Sequence, residues 1–154
     1  MKINYLVIPL IVFFVSFLGG QLTSSGMDWY KTIKLPSWTP PGSVIGLVWA
    51  IIFILSAISI ILIWNKLDRA GNFNWIISIF ILNALLNIFW SYLFFYQGQI
   101  GFAIIEAAIL ALSVLALIIL IWPVYKPAAI LLIPYVVWVS FATFLTYSIW
   151  ILNK

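Results

Sequence analysis

The chain has 154 residues, of which 66% are hydrophobic, 18% are aromatic and 6% are charged, and its formal net charge is +4. Soluble domains carry about a quarter charged residues, so a short chain this apolar indicates an integral membrane protein and excludes soluble enzyme folds. The chain contains no Cys and no His, which excludes disulfides, thiol catalysis and the commonest ligands of metals and haem.

Five apolar stretches are each long enough to cross a bilayer, which takes about 20 residues in a helix. Glycine, proline or charged residues separate the stretches, as expected where helices end and loops begin. We therefore predict an all-α membrane protein, a five-helix transmembrane bundle that forms a single domain over residues 1–154. The predicted helices cover about 3–22, 42–64, 73–96, 100–122 and 128–152.

The first stretch follows Lys2 and also has the character of a secretory signal peptide. No cleavage site of small residues precedes the next loop, so we expect this helix to be retained in the protein. The long loop from Leu22 to Pro41 contains Trp29, Tyr30 and Trp38. A connection of this length is often functional. Two interpretations stay open: a lid over a binding site, or a loop whose aromatic rings lie among the lipid headgroups.

The basic residues lie at segment ends and do not cluster, so nucleic-acid binding is not predicted. Five spans place Lys2, Lys66, Arg69 and Lys126 on the same side of the membrane as the N-terminus. Lys31, Lys34 and Lys154 then lie on the opposite side. The excess of one basic residue favours an inside N-terminus by the positive-inside rule.

The nine tryptophans divide by their position in the predicted spans. Four lie near helix ends, where aromatic belts form at the membrane surface: Trp64, Trp75, Trp122 and Trp150. Trp49, Trp90 and Trp138 lie well inside their spans. A buried indole N–H needs a partner that lipid cannot provide, so these rings face the bundle interior or a cavity, unless they only pack between helices.

Helical spacing places aromatic residues on one face of three predicted helices. These faces consist of Ile45, Trp49 and Phe53 on the second helix, of Asn83, Asn87, Trp90 and Phe94 on the third, and of Tyr135, Trp138, Ala142 and Leu145 on the fifth. Asparagines in membrane helices can join helices, for about 0.6–2 kcal/mol. Beside flat aromatic walls, they also suit a large planar ligand with a few polar groups.

Glu106 is the only acidic residue inside a predicted span. A carboxyl group within the membrane is costly and indicates a functional site, unless it is hydrogen-bonded to an Asn or to a loop. The chain offers Glu106 no second carboxylate for a catalytic pair, and no His or intramembrane Lys activates a hydroxyl group. A conventional enzyme is therefore not predicted.

Three motifs of the chain occur in the order of a known family. They are Trp29-Tyr30 with Leu35-Pro36-Ser37-Trp38-Thr39-Pro40-Pro41-Gly42 and Val48-Trp49, then Leu86-Asn87-Ile88-Phe89-Trp90 with Phe94-Phe95, then Pro134-Tyr135, Trp138 and Phe141-Ala142-Thr143. Together they resemble the TspO/translocator protein family, whose members are also called tryptophan-rich sensory proteins or peripheral-type benzodiazepine receptors. The match covers nearly the whole chain.

The resemblance implies a five-helix bundle, commonly a homodimer, whose long first loop caps a cavity. In this family the cavity binds porphyrins such as protoporphyrin IX and other planar hydrophobic, drug-like ligands. The positions that match the ligand-binding residues are Tyr30, Pro41, Ile45, Trp49, Phe53, Asn83, Asn87, Trp90, Trp138, Ala142 and Leu145. Trp49 and Trp138 match the tryptophans implicated in porphyrin photodegradation by bacterial members.

We therefore expect a receptor or sensor in a bacterial cell membrane, linked to tetrapyrrole or oxidative-stress regulation, with light-dependent porphyrin degradation as a further activity. The alternative is a transporter of porphyrins or other small molecules in which Glu106 is the coupling group. Porphyrin is expected as a ligand held by stacking, not as a metal-ligated cofactor, because the chain has no His. The cholesterol motif of the animal proteins is not met, since six residues separate Tyr147 from Lys154.

Overall fold

The computed structural model describes residues 3–66 and 72–154, and all of its long elements are helices. The helices are α1 (Asn4–Ser25), α2 (Met27–Tyr30), α3 (Gly42–Lys66), α4 (Phe73–Ser91), α5 (Ile100–Ile121), α6 (Lys126–Ile130) and α7 (Ile133–Asn153). A π-helical turn, Tyr92–Tyr96, continues α4. The parts of the orientation prediction that rest on Lys2 and Arg69 lie outside the described residues.

Within the described residues, five stretches are long and apolar enough to cross a membrane. They are Asn4–Ser25, Gly42–Lys66, Phe73–Tyr96, Ile100–Ile121 and Lys126–Asn153. Their outer faces carry large apolar side chains such as Phe13, which is 68% exposed, and Trp75, which is 70% exposed. Such surfaces are stable in lipid but not in water. The prediction of an all-α membrane protein with five spans is confirmed.

Two spans differ most from the predicted ones, and each does so for a local reason. The first helix continues to Ser25 instead of ending at residue 22, and the short helix α2 then occupies part of the predicted loop. The last span was predicted as one helix over 128–152, but it breaks at Leu131 and Leu132 into α6 and α7. Pro134 lies in the first turn of α7, where the missing N–H of proline is tolerated.

The third span ends in a wider turn than an α-helix. The N–H of Gln97 donates to the carbonyl of Tyr92, five residues earlier, at 2.9 Å. Such π-turns shift the register of the side chains and are frequent at functional sites. Here the turn carries Phe94 and Phe95, which contact the first loop.

The long helices pack around a shared interior. Helix α5 packs between α4 and α7, α1 packs on both α3 and α4, and α3 also packs on α6. Close approach of α1 and α4 is possible because Gly19 faces Ser91, whose Oγ would lie 3.6 Å from an added Cβ. Across the interior, α3 meets α7 through side chains: the ring centroids of Trp49 and Tyr135 are 6.0 Å apart.

Candidate ligand-binding site

A buried chain of hydrogen bonds joins α4, α5 and α7. The Tyr135 hydroxyl donates to Asn83 Oδ1 at 2.9 Å and accepts from Asn87 Nδ2 at 3.2 Å. Asn83 Nδ2 donates to Ser113 Oγ at 2.8 Å, and the Ser113 hydroxyl donates to the carbonyl of Leu110 at 2.7 Å. The two asparagines therefore connect helices, and their predicted contact with a ligand would add to that role.

The hydrogen-bonded chain includes a residue that the sequence reasoning missed. Ser113 lies seven residues after Glu106 on α5, so both lie on one helical face. The sequence signal for Ser113 is that it and Glu106 are polar residues seven positions apart in an otherwise apolar span.

An aromatic wall flanks this chain of hydrogen bonds on the side of α3. Trp49 is half-buried and meets the ring of Tyr135 edge-on, with the planes at 79°. Phe53, one turn along α3, lies 5.7 Å from Trp49 between centroids. Ile45, one turn before Trp49, is also half-buried. The predicted face of the second span thus turns its central tryptophan toward the interior.

A second aromatic wall runs along α7 toward the first loop. The rings of Trp138 and Phe141 are 5.2 Å apart, and Trp38 of the loop lies 5.9 Å from Phe141. Trp38 also stacks on Phe144, with centroids 5.5 Å apart and planes at 16°. The indole nitrogen of Trp138 is buried and has no hydrogen-bond partner among the described residues. This N–H is therefore an unsatisfied donor within the bundle.

The end of α4 supplies a third group of rings, which holds the loop. Trp90 stacks on Phe94 with centroids 5.0 Å apart and planes at 8°. Trp29 packs edge-on against Phe94 at 5.7 Å, and Tyr30 lies 5.4 Å from Phe95. Burial raises the pKa of the Tyr30 phenol, so this ring is neutral at physiological pH.

Two further contacts attach the first loop to the bundle. Gly26 lies so close to Phe95 that a Cβ at this position would overlap the backbone carbonyl of Phe95. At the other end of the loop, the backbone of Lys34 exchanges two hydrogen bonds with the side chain of Asn153. The loop thus lies against the end of α4 and the end of α7.

The remaining predicted positions lie at different depths. Pro41 is exposed, and its carbonyl accepts hydrogen bonds from Val44 and Ile45 at 2.9 and 3.1 Å, where α3 begins. Ala142 is half-buried on α7. Leu145 is buried in the cluster that includes Phe94 and packs under the loop. The predicted positions therefore differ in exposure: Pro41 lies at the exposed start of α3, and Leu145 lies buried under the first loop.

Glu106 lies on the buried face of α5, where it is only 4% exposed. Neither carboxyl oxygen has a hydrogen-bond partner among the described residues. The described part of the chain contains no group of three or more His, Cys, Asp or Glu residues that could hold a metal ion.

A separate groove of about 460 Å³ opens at the junction of α1 and α4, away from these groups. It is lined by Leu22, Leu85, Leu86, Ile88, Phe89 and Tyr92. None of these residues was predicted to bind a ligand, and the apolar walls fit a surface that contacts lipid.

Comparisons with known proteins find similarity over most of the chain. The profile described as the TspO/MBR family matches residues 7–151. The "Tryptophan-rich protein TspO" of Bacillus cereus is 35% identical over 148 residues, which cover 94% of this chain and 95% of the relative. The protein of the same name from Chlorobaculum tepidum is 31% identical, covering 90% and 89%. The human "Translocator protein" is 30% identical, covering 87% and 80%.

Proposed function

The chain belongs to the TspO/MBR family, and from this premise we propose that it is a membrane receptor or sensor that binds porphyrin-type ligands between its helices. Membership supports the receptor or sensor role in general terms. The choice of a planar, largely apolar ligand with a few polar groups is our proposal. It rests on the side chains of α3, α4 and α7.

The observation that carries the proposal is the unpaired indole nitrogen of Trp138. A buried N–H without an acceptor destabilises the protein by about 1–3 kcal/mol, and a bound acceptor would remove this cost. A ligand that reaches Trp138 with a carbonyl or carboxylate oxygen would pair with it. The aromatic rings of Trp49, which contacts Tyr135, and of Phe141, which contacts Trp138, would offer stacking surfaces to such a ligand.

The transporter alternative is favoured by one residue, the buried Glu106. A proton path within a membrane usually uses a series of ionisable side chains. The other charged residues of the five spans, Lys66 and Lys126, lie at span ends. We therefore prefer a receptor to a proton-coupled transporter. Porphyrin flux into liposomes that falls strongly in Glu106→Gln would reverse this preference.

The same interior would support light-driven chemistry of a bound porphyrin. An excited porphyrin can react with dioxygen, and tryptophan side chains at contact distance are readily oxidised partners in such reactions. We propose that Trp49 and Trp138 take this role. We also propose a homodimer in a bacterial cell membrane with the N-terminus inside.

The experiment that tests the function compares porphyrin binding and bleaching in a double variant, Trp49→Phe with Trp138→Phe. Phenylalanine keeps an aromatic ring but removes the indole N–H, so the variant is expected to fold. We expect weaker protoporphyrin IX binding, measured by the shift of the porphyrin absorption band, and loss of light-dependent bleaching. Trp75→Phe, at a lipid-exposed position, is the matched control and should behave as the wild type. Native binding and bleaching in the double variant would contradict the proposal.

A further inference from the structure

Glu106 occupies a position between two defined parts of the interior. It shares the buried face of α5 with Ala103, three residues earlier, and with Ser113, seven residues later. Ser113 belongs to the hydrogen-bonded chain of Asn83 and Tyr135. Ala103 belongs to the cluster under the first loop. At a helical rise of about 1.5 Å per residue, the backbone of Glu106 lies about 10 Å along the axis from that of Ser113 and about 5 Å from that of Ala103.

Most of the polar side chains in this region already donate a hydrogen bond to another part of the protein. The Tyr135 hydroxyl and the side-chain nitrogens of Asn83 and Asn87 donate within their own chain of hydrogen bonds. The hydroxyls of Thr143 and Thr146 donate to carbonyls of α7, each at 2.8 Å. No Lys or Arg lies inside a described span, because the basic residues are at the ends.

Among the described residues, three buried side chains have polar atoms without a hydrogen-bond partner: Ser56, Glu106 and Trp138. Glu106 and Trp138 have opposite hydrogen-bonding character. Glu106 offers acceptor oxygens, and Trp138 offers a donor nitrogen, but the two do not pair with each other. A carboxylate in an apolar interior is stable only when a cation or several donors meet it. The described residues place no cation and no hydrogen-bond donor on the Glu106 carboxyl group, and an unpaired carboxyl group in an apolar interior stays protonated. A bound cationic donor would supply the partner that the ionised form needs.

We propose that the Glu106 carboxylate is a binding group for N–H donors of the ligand, and that it selects planar aromatic molecules that carry a protonated amine. This inference rests on the proposed function in one respect: the ligand enters the same interior. It adds a second ligand class, aromatic amines, to the porphyrins. It also assigns Glu106 a role in recognition, whereas the transporter alternative uses it for coupling.

The test compares two fluorescent probes that differ by one amino group, 9-aminoacridine and acridine. Both are planar, and only the first carries an exocyclic amine and a positive charge at neutral pH. We expect the wild type in neutral detergent to bind 9-aminoacridine more tightly than acridine. A hydrogen bond to a charged group is worth about 1.5–3 kcal/mol, which corresponds to about ten-fold to a hundred-fold in affinity.

Glu106→Gln is expected to remove this preference while leaving the acridine affinity unchanged, because acridine has no N–H group for Glu106 to accept. The control is Asp28→Asn, which removes the same charge from the exposed loop, where Asp28 pairs with Lys31. An unchanged preference in Glu106→Gln, or an equal loss in Asp28→Asn, would overturn the proposal. Failure of porphyrin to bind the wild type would contradict the proposed function alone, because the amine preference is measured without porphyrin.

A second measurement on the wild type covers the case in which Glu106→Gln fails to fold. Dicyclohexylcarbodiimide modifies carboxyl groups in apolar surroundings, and mass spectrometry locates the adduct. We expect modification at Glu106, and we expect 9-aminoacridine but not acridine to slow it. Equal modification rates with and without 9-aminoacridine would contradict the proposal.

Discussion

The side chain of Asn153 near the end of α7 pairs with the backbone of Lys34 in the first loop. Asn153 Oδ1 accepts from the Lys34 N–H at 2.9 Å, and Asn153 Nδ2 donates to the Lys34 carbonyl at 2.8 Å. A side-chain amide that meets both backbone groups of one residue fixes the position and direction of that segment. This pairing joins parts of the chain that are 119 residues apart and attaches the first loop to the end of α7.

Replacement of this amide should loosen the loop without unfolding the helices. We predict that Asn153→Ala increases the rate of tryptic cleavage after Lys31 and Lys34, because the peptide bonds that follow these two lysines then separate from the bundle surface more often. Asn153→Asp keeps the acceptor and loses the donor, so its rate should be intermediate. Asn65→Ala removes an amide from the end of α3, where it bonds to Asn4 and Ile61, and serves as control. Equal cleavage rates in all four proteins would contradict this prediction.

The contact of Gly26 with Phe95 gives a second test of how the loop is held. A Cβ at Gly26 would overlap the Phe95 carbonyl, so Gly26→Ala must displace the loop or the end of α4. We predict a lower unfolding temperature in detergent and a faster exchange of bound porphyrin. Gly20→Ala is the control, because no other atom lies within 4 Å of a Cβ placed there. Alanine favours a helix over glycine by about 1 kcal/mol, so this control should be neutral or slightly stabilising.

The bridging hydroxyl of Tyr135 should contribute to stability. Tyr135→Phe leaves Asn83 Oδ1 and Asn87 Nδ2 without their shared partner. Interhelical hydrogen bonds in membrane proteins contribute about 0.6–2 kcal/mol each, so we predict a loss of about 1–2 kcal/mol in unfolding free energy. Tyr147→Phe is the matched control, since Tyr147 is exposed on the same helix. Equal unfolding midpoints in denaturing detergent would show that the hydroxyl contributes no net stability.

The sequence predicts the spans well for a physical reason. A stretch of about 20 apolar residues has one stable state in lipid, the helix, so length and hydropathy suffice. The break between α6 and α7 does not change the hydropathy of the last span, so hydropathy does not predict it. Pro134, in the first turn of α7, is the local signal for this break. The extension of α1 to Ser25 was missed because small polar residues at a span end resemble a loop.

The candidate site could be predicted only in part. Helical spacing identifies the faces that carry Trp49, Asn87 and Trp138, because spacing along one helix is a local property. The partners across helices are not local: the pairing of Asn83 with Ser113 depends on how α4 and α5 pack. The spacing likewise does not indicate that the indole nitrogen of Trp138 lacks a partner.

The most direct measurement is a titration of the purified protein with protoporphyrin IX in the dark, followed by quenching of tryptophan fluorescence. A ligand that stacks on Trp49 and bonds to Trp138 quenches at defined positions, so we predict quenching that saturates at nanomolar to micromolar porphyrin. Trp49→Phe with Trp138→Phe should reduce both the affinity and the amplitude. Quenching that rises with porphyrin without saturation, and is the same in the double variant, would mean partition into detergent and would contradict a defined porphyrin site.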